Sequence, residues 1–115
     1  MVVLFCHSGP LYTIDGLSYF GVAHNNEMFS RYYAIADEIH VAIRTKKIDK
    51  KDAAKYSEIT LKPFVVIPCP NTESLLGIFQ RPKLKKILKK AIMESDYVVA
   101  RVPSTIGFYA AKIAL

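Results

Sequence analysis

Residues 2–10 read VVLFCHSGP, and this segment sets the architecture expected of the whole chain. Its unbroken apolar run predicts a first strand over Val2–His7, because parallel strands that are covered on both faces are apolar throughout. In α/β proteins, ligands bind at the carboxyl ends of the strands, and the first strand-to-helix connection usually carries the site. We therefore expect His7, Ser8 and Gly9 to lie at the functional edge of the sheet.

The rest of the chain alternates strands and helices. Three further strands are predicted: Ile39–Arg44, Phe64–Ile67 and Tyr97–Val102. Helical segments are predicted at Asn26–Asp37, within Lys47–Glu58, at Pro82–Ser95 and from Thr105 onward. Strands that alternate with helices are joined by right-handed crossovers into a parallel sheet. The fold expected is therefore α/β, a Rossmann-like three-layer domain with strand order 3-2-1-4.

A turn signal follows strand one. Asp15-Gly16 stands between two segments that favour β-structure, Leu11–Ile14 and Leu17–Phe20. A two-residue type I′ turn needs positive φ at both central residues, and Asp-Gly supplies them. The pattern predicts a hairpin flap after strand one; the alternative is an irregular loop held by its tyrosines.

Length and cysteine content narrow the class of protein. A chain of 115 residues makes one domain that is large enough for a core. No apolar run reaches the ~18 residues that a membrane span needs, and the apolar start lacks the basic residues of a signal peptide. Cys6 and Cys69 match no Cys-x-x-Cys pattern, which favours a reduced, cytoplasmic protein.

The positive charge is concentrated in one segment. The formal net charge is +6, and residues 81–90 (RPKLKKILKK) carry six basic and no acidic residues. Leu84, Ile87 and Leu88 give this segment an apolar helical face. Its other faces carry Lys83, Lys85, Lys86, Lys89 and Lys90. These lysines form either a solvated surface or a patch that docks on an anionic membrane, and no nucleic acid is expected because stacking aromatics mostly lie elsewhere.

Several kinds of site are excluded by their missing motifs. Ser8-Gly9 is not part of a Gly-x-Gly-x-x-Gly sequence, and Arg44 stands where a dinucleotide site has an acid. There is no P-loop and no Gly-x-Ser-x-Gly elbow. No two histidines stand at helical i, i+4 spacing, so no metal site is predicted. We expect no cofactor.

Four segments together resemble the amino-terminal domain of a glycosyltransferase of the GT-B fold. They are VVLFCHSGPLY (2–12), FSRY (29–32), ADEIHVAIR (36–44) and SDYVVARVPS (95–104). The likeness is to the family-four (group 1) enzymes of bacterial capsular and surface polysaccharide synthesis. It implies that residues 1–115 are the acceptor-side domain of a longer two-domain transferase, inactive on its own. The partners implied are a nucleotide-sugar, bound mainly by the other half, and a glycan or lipid-linked sugar acceptor.

The resemblance also implies where the ligands lie. The loop after strand one, with His7, Ser8 and Gly9, would face the donor diphosphate and the acceptor. Arg101, in an apolar strand, needs either a carboxylate or a bound anion as its partner.

Tyr12 and Tyr19 would stack on sugar rings or pack the hairpin against helix one, and Ser104 would serve the site or cap the last helix. His24 has an ordinary loop role or faces an anion near helix one. The alternatives to a transferase are a stand-alone flavodoxin-like binding module and a basic accessory protein. A transferase of this kind would be cytoplasmic, with peripheral attachment to the inner face of the membrane.

Overall fold

The computed structural model describes residues 1–21, 24–70, 79–101 and 105–114. Within them the strands are β1 (Val2–Thr13), β2 (Tyr19–Gly21), β3 (Glu38–Lys47), β4 (Ser57–Glu58), β5 (Phe64–Cys69) and β6 (Tyr97–Ala100). The helices are α1 (Asn26–Ser30), α2 (Arg81–Met93) and α3 (Thr105–Ala114), with 3₁₀ turns at Arg31–Ala34 and Lys50–Lys55. The protein is thus a mixed α/β domain built on a six-stranded sheet.

Strand β1 lies at the centre of the sheet. It pairs in parallel with β3 and β6, and β3 pairs in parallel with β5. Short antiparallel pairings add β2 to β1 and β4 to β2. The four parallel strands lie in the order β5-β3-β1-β6. The predicted order 3-2-1-4 leaves out β2 and β4, however, and so does not describe the whole sheet, whose path is β4-β2-β1-β3-β5 with β6 on β1.

The predicted flap with a two-residue turn is wrong. Its first strand is the end of β1 itself, which pairs Tyr12 with Phe20 and Thr13 with Tyr19. The connecting loop covers residues 14–18, because the Asp15 side chain accepts hydrogen bonds from the backbone N–H groups of Leu17 and Ser18, both at 2.9 Å. Such an Asx turn competes with the type I′ turn that Asp-Gly otherwise favours.

Apolar side chains of β1 point alternately to two cores, which explains its unbroken apolar run. Leu4 and Cys6 are buried with residues of α2 and α3, among them Leu84 and Ile106. Val3, Phe5 and Leu11 are buried on the other side of the sheet with Phe29 of α1. Helices therefore cover both faces of the sheet.

Helix one is shorter than predicted. Asn25 caps α1 by accepting a hydrogen bond from the Met28 N–H at 3.0 Å, as its sequence position indicates. The α-helix ends at Ser30 and continues as a 3₁₀ turn, which has fewer residues per turn. Phe29 is consequently buried, whereas Ile35, within the predicted helix, is 51% exposed.

Helix α2 presents the faces that the sequence predicts. Leu84, Leu88 and Ala91 are buried against the sheet, and its lysines, Lys83, Lys85, Lys86, Lys89 and Lys90, are all exposed. In the part of the chain that the structure describes, no helix has the length and apolar content that a membrane span requires.

Candidate functional site

The candidate site is an interruption in the pairing of β1. On the edge away from β3, β6 runs beside Val3–Cys6, and β2 runs beside Tyr12 and Thr13. Between these two strands lie residues 7–11. On the other edge, β1 bulges there, because four residue steps from His7 to Leu11 match only two steps of β3. Bulges and interrupted edges are frequent beside binding sites, because they leave backbone groups and side chains accessible.

Arg101 closes one end of the interruption. Its backbone N–H donates to the Cys6 carbonyl at 2.9 Å, which continues the line of β6 toward His7. The side chain of Arg101 is exposed and carries its charge at the carboxyl end of the sheet. Its positive charge contributes to lowering the pKa of His24.

His24 lies against His7 across the interruption. Their ring centroids are 4.8 Å apart, with the rings inclined at 44°. Burial, and to a smaller extent the charges of His7 and Arg101, lower the pKa of His24 from 6.5 to about 4. We call His7, His24 and Arg101 the basic edge cluster. A cluster of groups that repel one another's positive charge favours an anion between them.

The backbone of the bulge is fixed by a glycine. Gly9 has φ of 71°, a conformation that side chains rarely adopt. A Cβ atom at this position would lie 2.6 Å from Cγ1 of Ile43 and 3.0 Å from the carbonyl oxygen of Arg44. The Gly9 N–H donates to Nδ1 of His7 at 3.0 Å, which orients the imidazole ring. Glycine is required here for both conformation and space.

Ser8 joins the bulge to two other elements. Its hydroxyl accepts a hydrogen bond from the backbone N–H of Ile106 in the first turn of α3, at 3.4 Å. Its carbonyl accepts one from Nε of Arg44 at the same distance. The amino-terminal end of α3 is therefore directed at the bulge, where the helix dipole favours negative charge.

The sequence-predicted site residues are only partly brought together. His7, Ser8, Gly9 and Arg101 gather at the interruption. Tyr19 lies on β2, where its hydroxyl donates to the Gly16 carbonyl at 3.1 Å, and it lines a separate groove of about 400 Å³. Ser104 lies outside the described residues.

The structure brings two further residues to the site. For His24 the sequence leaves an ordinary loop role and an anion-facing role open, because its position before helix one is compatible with both. In the sequence, Arg44 indicates only that the acid of a dinucleotide site is absent. It ends a predicted strand next to strand one, and that position alone could have marked it, since neighbouring parallel strands end at the same edge.

Metal and thiol chemistry find no support at the site. Among residues 1–21, 24–70, 79–101 and 105–114, no three His, Cys, Asp or Glu side chains are grouped to hold a metal ion. Cys6 and Cys69 are buried free thiols, and burial raises the pKa of each to about 12. Such thiols are protonated and inert at neutral pH.

Nearly the whole of the chain aligns with part of a longer known protein. The chain is similar to Protein CapJ of Staphylococcus aureus. The two are 30% identical over 113 residues, which cover 98% of this chain and 28% of CapJ. The chain thus spans little more than a quarter of the length of this relative. No family model matches the chain, and no solved structure matches it significantly.

Proposed function

We propose that the chain is the acceptor-side domain of a glycosyltransferase that moves a sugar from a nucleotide-sugar to a capsular or other surface glycan. The observation that carries the proposal is the basic edge cluster at the interrupted edge of β1. The similarity to Protein CapJ supports the capsule part of the proposal. In the proposal a second domain binds the nucleoside part of the donor, and this chain contacts the diphosphate.

The cluster has the groups that a diphosphate requires. Arg101 offers N–H donors that bind phosphate oxygens in pairs. His7, whose Nδ1 accepts the hydrogen bond from Gly9, can donate through Nε2. His24 adds a second imidazole, whose protonated form an anion would stabilise. The amino-terminal end of α3 is directed at the same bulge. In this proposal the chain neutralises the charge that develops on the departing diphosphate, and it holds the acceptor beside it.

Binding of UDP-glucose to the 115-residue chain tests this role. Arg101→Gln should weaken binding about tenfold, because an exposed charge-assisted hydrogen bond is worth about 1.4 kcal/mol at the low end of its range. Arg81→Gln removes an equally exposed arginine from the start of α2 and is the matched control. Calorimetric titration gives both affinities. Equal affinity of the two variants would remove Arg101 from the site.

We also propose that α2 attaches the enzyme to the inner face of the membrane, where a lipid-linked acceptor would be found. Lys85 of α2 lies over the half-buried Tyr109 ring of α3, 5.3 Å from its centroid, and Phe108 of α3 is 55% exposed. Near an anionic surface each lysine contributes about 1 kcal/mol. Sedimentation with phosphatidylserine vesicles should therefore fall in a Lys86→Gln/Lys89→Gln variant. Unchanged sedimentation would exclude α2 as the attachment surface.

A further inference from the structure

A second concavity lies at the carboxyl ends of β1 and β3, beyond the bulge. Its volume is about 650 Å³, within the range of small-ligand sites in proteins. It is lined by Tyr12, Lys46, Lys47, Ile48, Asp49, Asp52, Lys55 and Tyr56. We call it the tyrosine–lysine cleft. It shares no lining residue with the basic edge cluster.

Two aromatic rings form one wall of the tyrosine–lysine cleft. Tyr12 and Tyr56 are stacked, with ring centroids 4.4 Å apart and an angle of 20° between the rings. Both side chains are half-buried, so the pair is held in place while part of it faces the cleft. The face of an aromatic ring is negatively polarised and attracts the C–H groups on the flat side of a sugar ring. Stacked tyrosines therefore make a platform suited to a saccharide.

The charges of the cleft indicate what kind of saccharide fits. Lys55 is 3.6 Å from a carboxylate oxygen of Asp52, so this pair is largely compensated. Lys46 and Lys47 are exposed, and no carboxylate within the described ranges lies at ion-pair distance from either. With Asp49 as the remaining acid, the cleft keeps a positive excess. Lysine ammonium groups would pair with sugar carboxylates, and Asp49 would accept hydrogen bonds from hydroxyl groups.

The position of the cleft relates it to the basic edge cluster. Both lie at the carboxyl edge of the parallel strands, and both include residues of β1. His7 and Tyr12 are separated by five residue steps of a bulged strand, which spans no more than roughly 16 Å. An oligosaccharide, rather than a single sugar, has the reach to lie in the cleft with one end at the cluster.

We propose that the tyrosine–lysine cleft binds an acidic oligosaccharide, which is the acceptor of the transfer reaction. The statement that this oligosaccharide is the acceptor rests on the proposed function. The statement that it binds here rests on the cleft alone. The sugar rings stack on the Tyr12–Tyr56 pair, and their carboxylates pair with Lys46 and Lys47.

Intrinsic tyrosine fluorescence offers a direct assay, because the chain contains seven tyrosines and no tryptophan. Trigalacturonic acid should change the fluorescence saturably, and the neutral trisaccharide chitotriose should bind more weakly. Lys46→Gln/Lys47→Gln should weaken trigalacturonate binding about tenfold, since two ion pairs are lost. The matched control is Lys50→Gln/Lys51→Gln, which removes the same charge from exposed residues outside the cleft and should change affinity less than about twofold.

The aromatic wall is tested separately. Tyr56→Leu should weaken binding, whereas Tyr56→Phe keeps the ring and should retain it; thermal unfolding shows whether both variants fold. The proposal is overturned if trigalacturonate gives no saturable change, if both lysine pairs have equal effects, or if a short single-stranded DNA binds more tightly. Loss of UDP-glucose binding in Arg101→Gln is independent of all these results. A failure of the cleft proposal can therefore be told apart from a failure of the proposed function.

Discussion

Lowering the pH should tighten the binding of a nucleotide-sugar to the basic edge cluster, because His24 would take up a proton when the anion binds. In the free chain, burial and the neighbouring His7 and Arg101 hold the pKa of His24 at about 4, so its imidazole is neutral near pH 7. A bound diphosphate would place negative charge beside the protonated form of His24 and so stabilise it. The pKa of His24 should then rise toward the ordinary value of 6.5.

The size of the effect follows from the two pKa values. We take the pKa of His24 as 6.5 in the complex and as about 4 in the free chain. Between these two pH values the complex binds more protons than the free chain, so affinity for the nucleotide-sugar rises as the pH falls. From about pH 7 to about pH 5, the affinity should rise by at most about 20-fold. If the pKa of His24 rises only part of the way to 6.5, the increase in affinity is smaller. In either case affinity increases as the pH falls, because the pKa is higher in the complex than in the free chain.

UDP-glucose is a suitable probe because both of its phosphates are diesters and keep their charge over this range. Calorimetric titration at several pH values gives the affinity of the native chain, of His24→Gln and of His40→Gln. His40 lies on β3 and pairs with Glu38, away from the interruption, so its variant is the control. The unfolded chain protonates His24 more readily than the folded chain, so stability is full above about pH 6.5 and falls toward about pH 4. Circular dichroism therefore checks that each sample is folded.

The pH effect should persist in His40→Gln and shrink strongly in His24→Gln. An affinity that is constant with pH in the native chain would contradict the role given to His24. An effect that is equal in both variants would assign the proton to another group.

Three further predictions concern the fold and its thiols. Gly9→Ala should lower the free energy of unfolding in urea by about 2 kcal/mol or more. Gly16 has φ of 77° but open space around it, so Gly16→Ala should lower it by only about 1 kcal/mol. Equal losses in the two variants would show that the bulge adapts to a side chain at Gly9. Leu88→Ala should cost about 2–5 kcal/mol because Leu88 is fully buried, whereas Met93→Ala, at an exposed position, should change stability by less than about 0.5 kcal/mol; comparable values would contradict the packing of α2. Cys6 should react with a thiol reagent only after unfolding, because burial raises its pKa to about 12, and rapid reaction of the folded chain would show that β1 is accessible.

The sequence predicts the parallel part of the fold well, since unbroken apolar runs and helical stripes are set by burial on both faces of the sheet. Strand β1 and the buried face of α2 follow directly from this pattern. The short strands β2 and β4 carry little periodicity of their own, and they form where the end of β1 offers them an edge. The wider turn at Asp15 depends on one side chain's hydrogen bonds, which compete with the backbone preference of Asp-Gly.

The sequence predicts where the candidate site lies, but it does not predict all of the residues that form it. His7, Ser8 and Gly9 can be placed from their position at the end of the first strand, because ligands gather at the carboxyl ends of parallel strands. His24 comes to His7 through the path of the chain after β2, and no local pattern carries that information. Arg44 meets the Ser8 carbonyl only because β1 bulges between His7 and Leu11.

Sugar transfer by membranes from cells that make the protein would test the transferase role directly. Radiolabelled nucleotide-sugars are supplied, and incorporation into surface glycan is compared for the native gene, Arg101→Gln and Arg31→Gln at equal protein abundance; Arg31 is exposed and lies outside both the basic edge cluster and α2. We expect incorporation to fall strongly in Arg101→Gln and to remain normal in Arg31→Gln. Normal incorporation in both, with the glycan unchanged when the gene is deleted, would contradict a glycosyltransferase function.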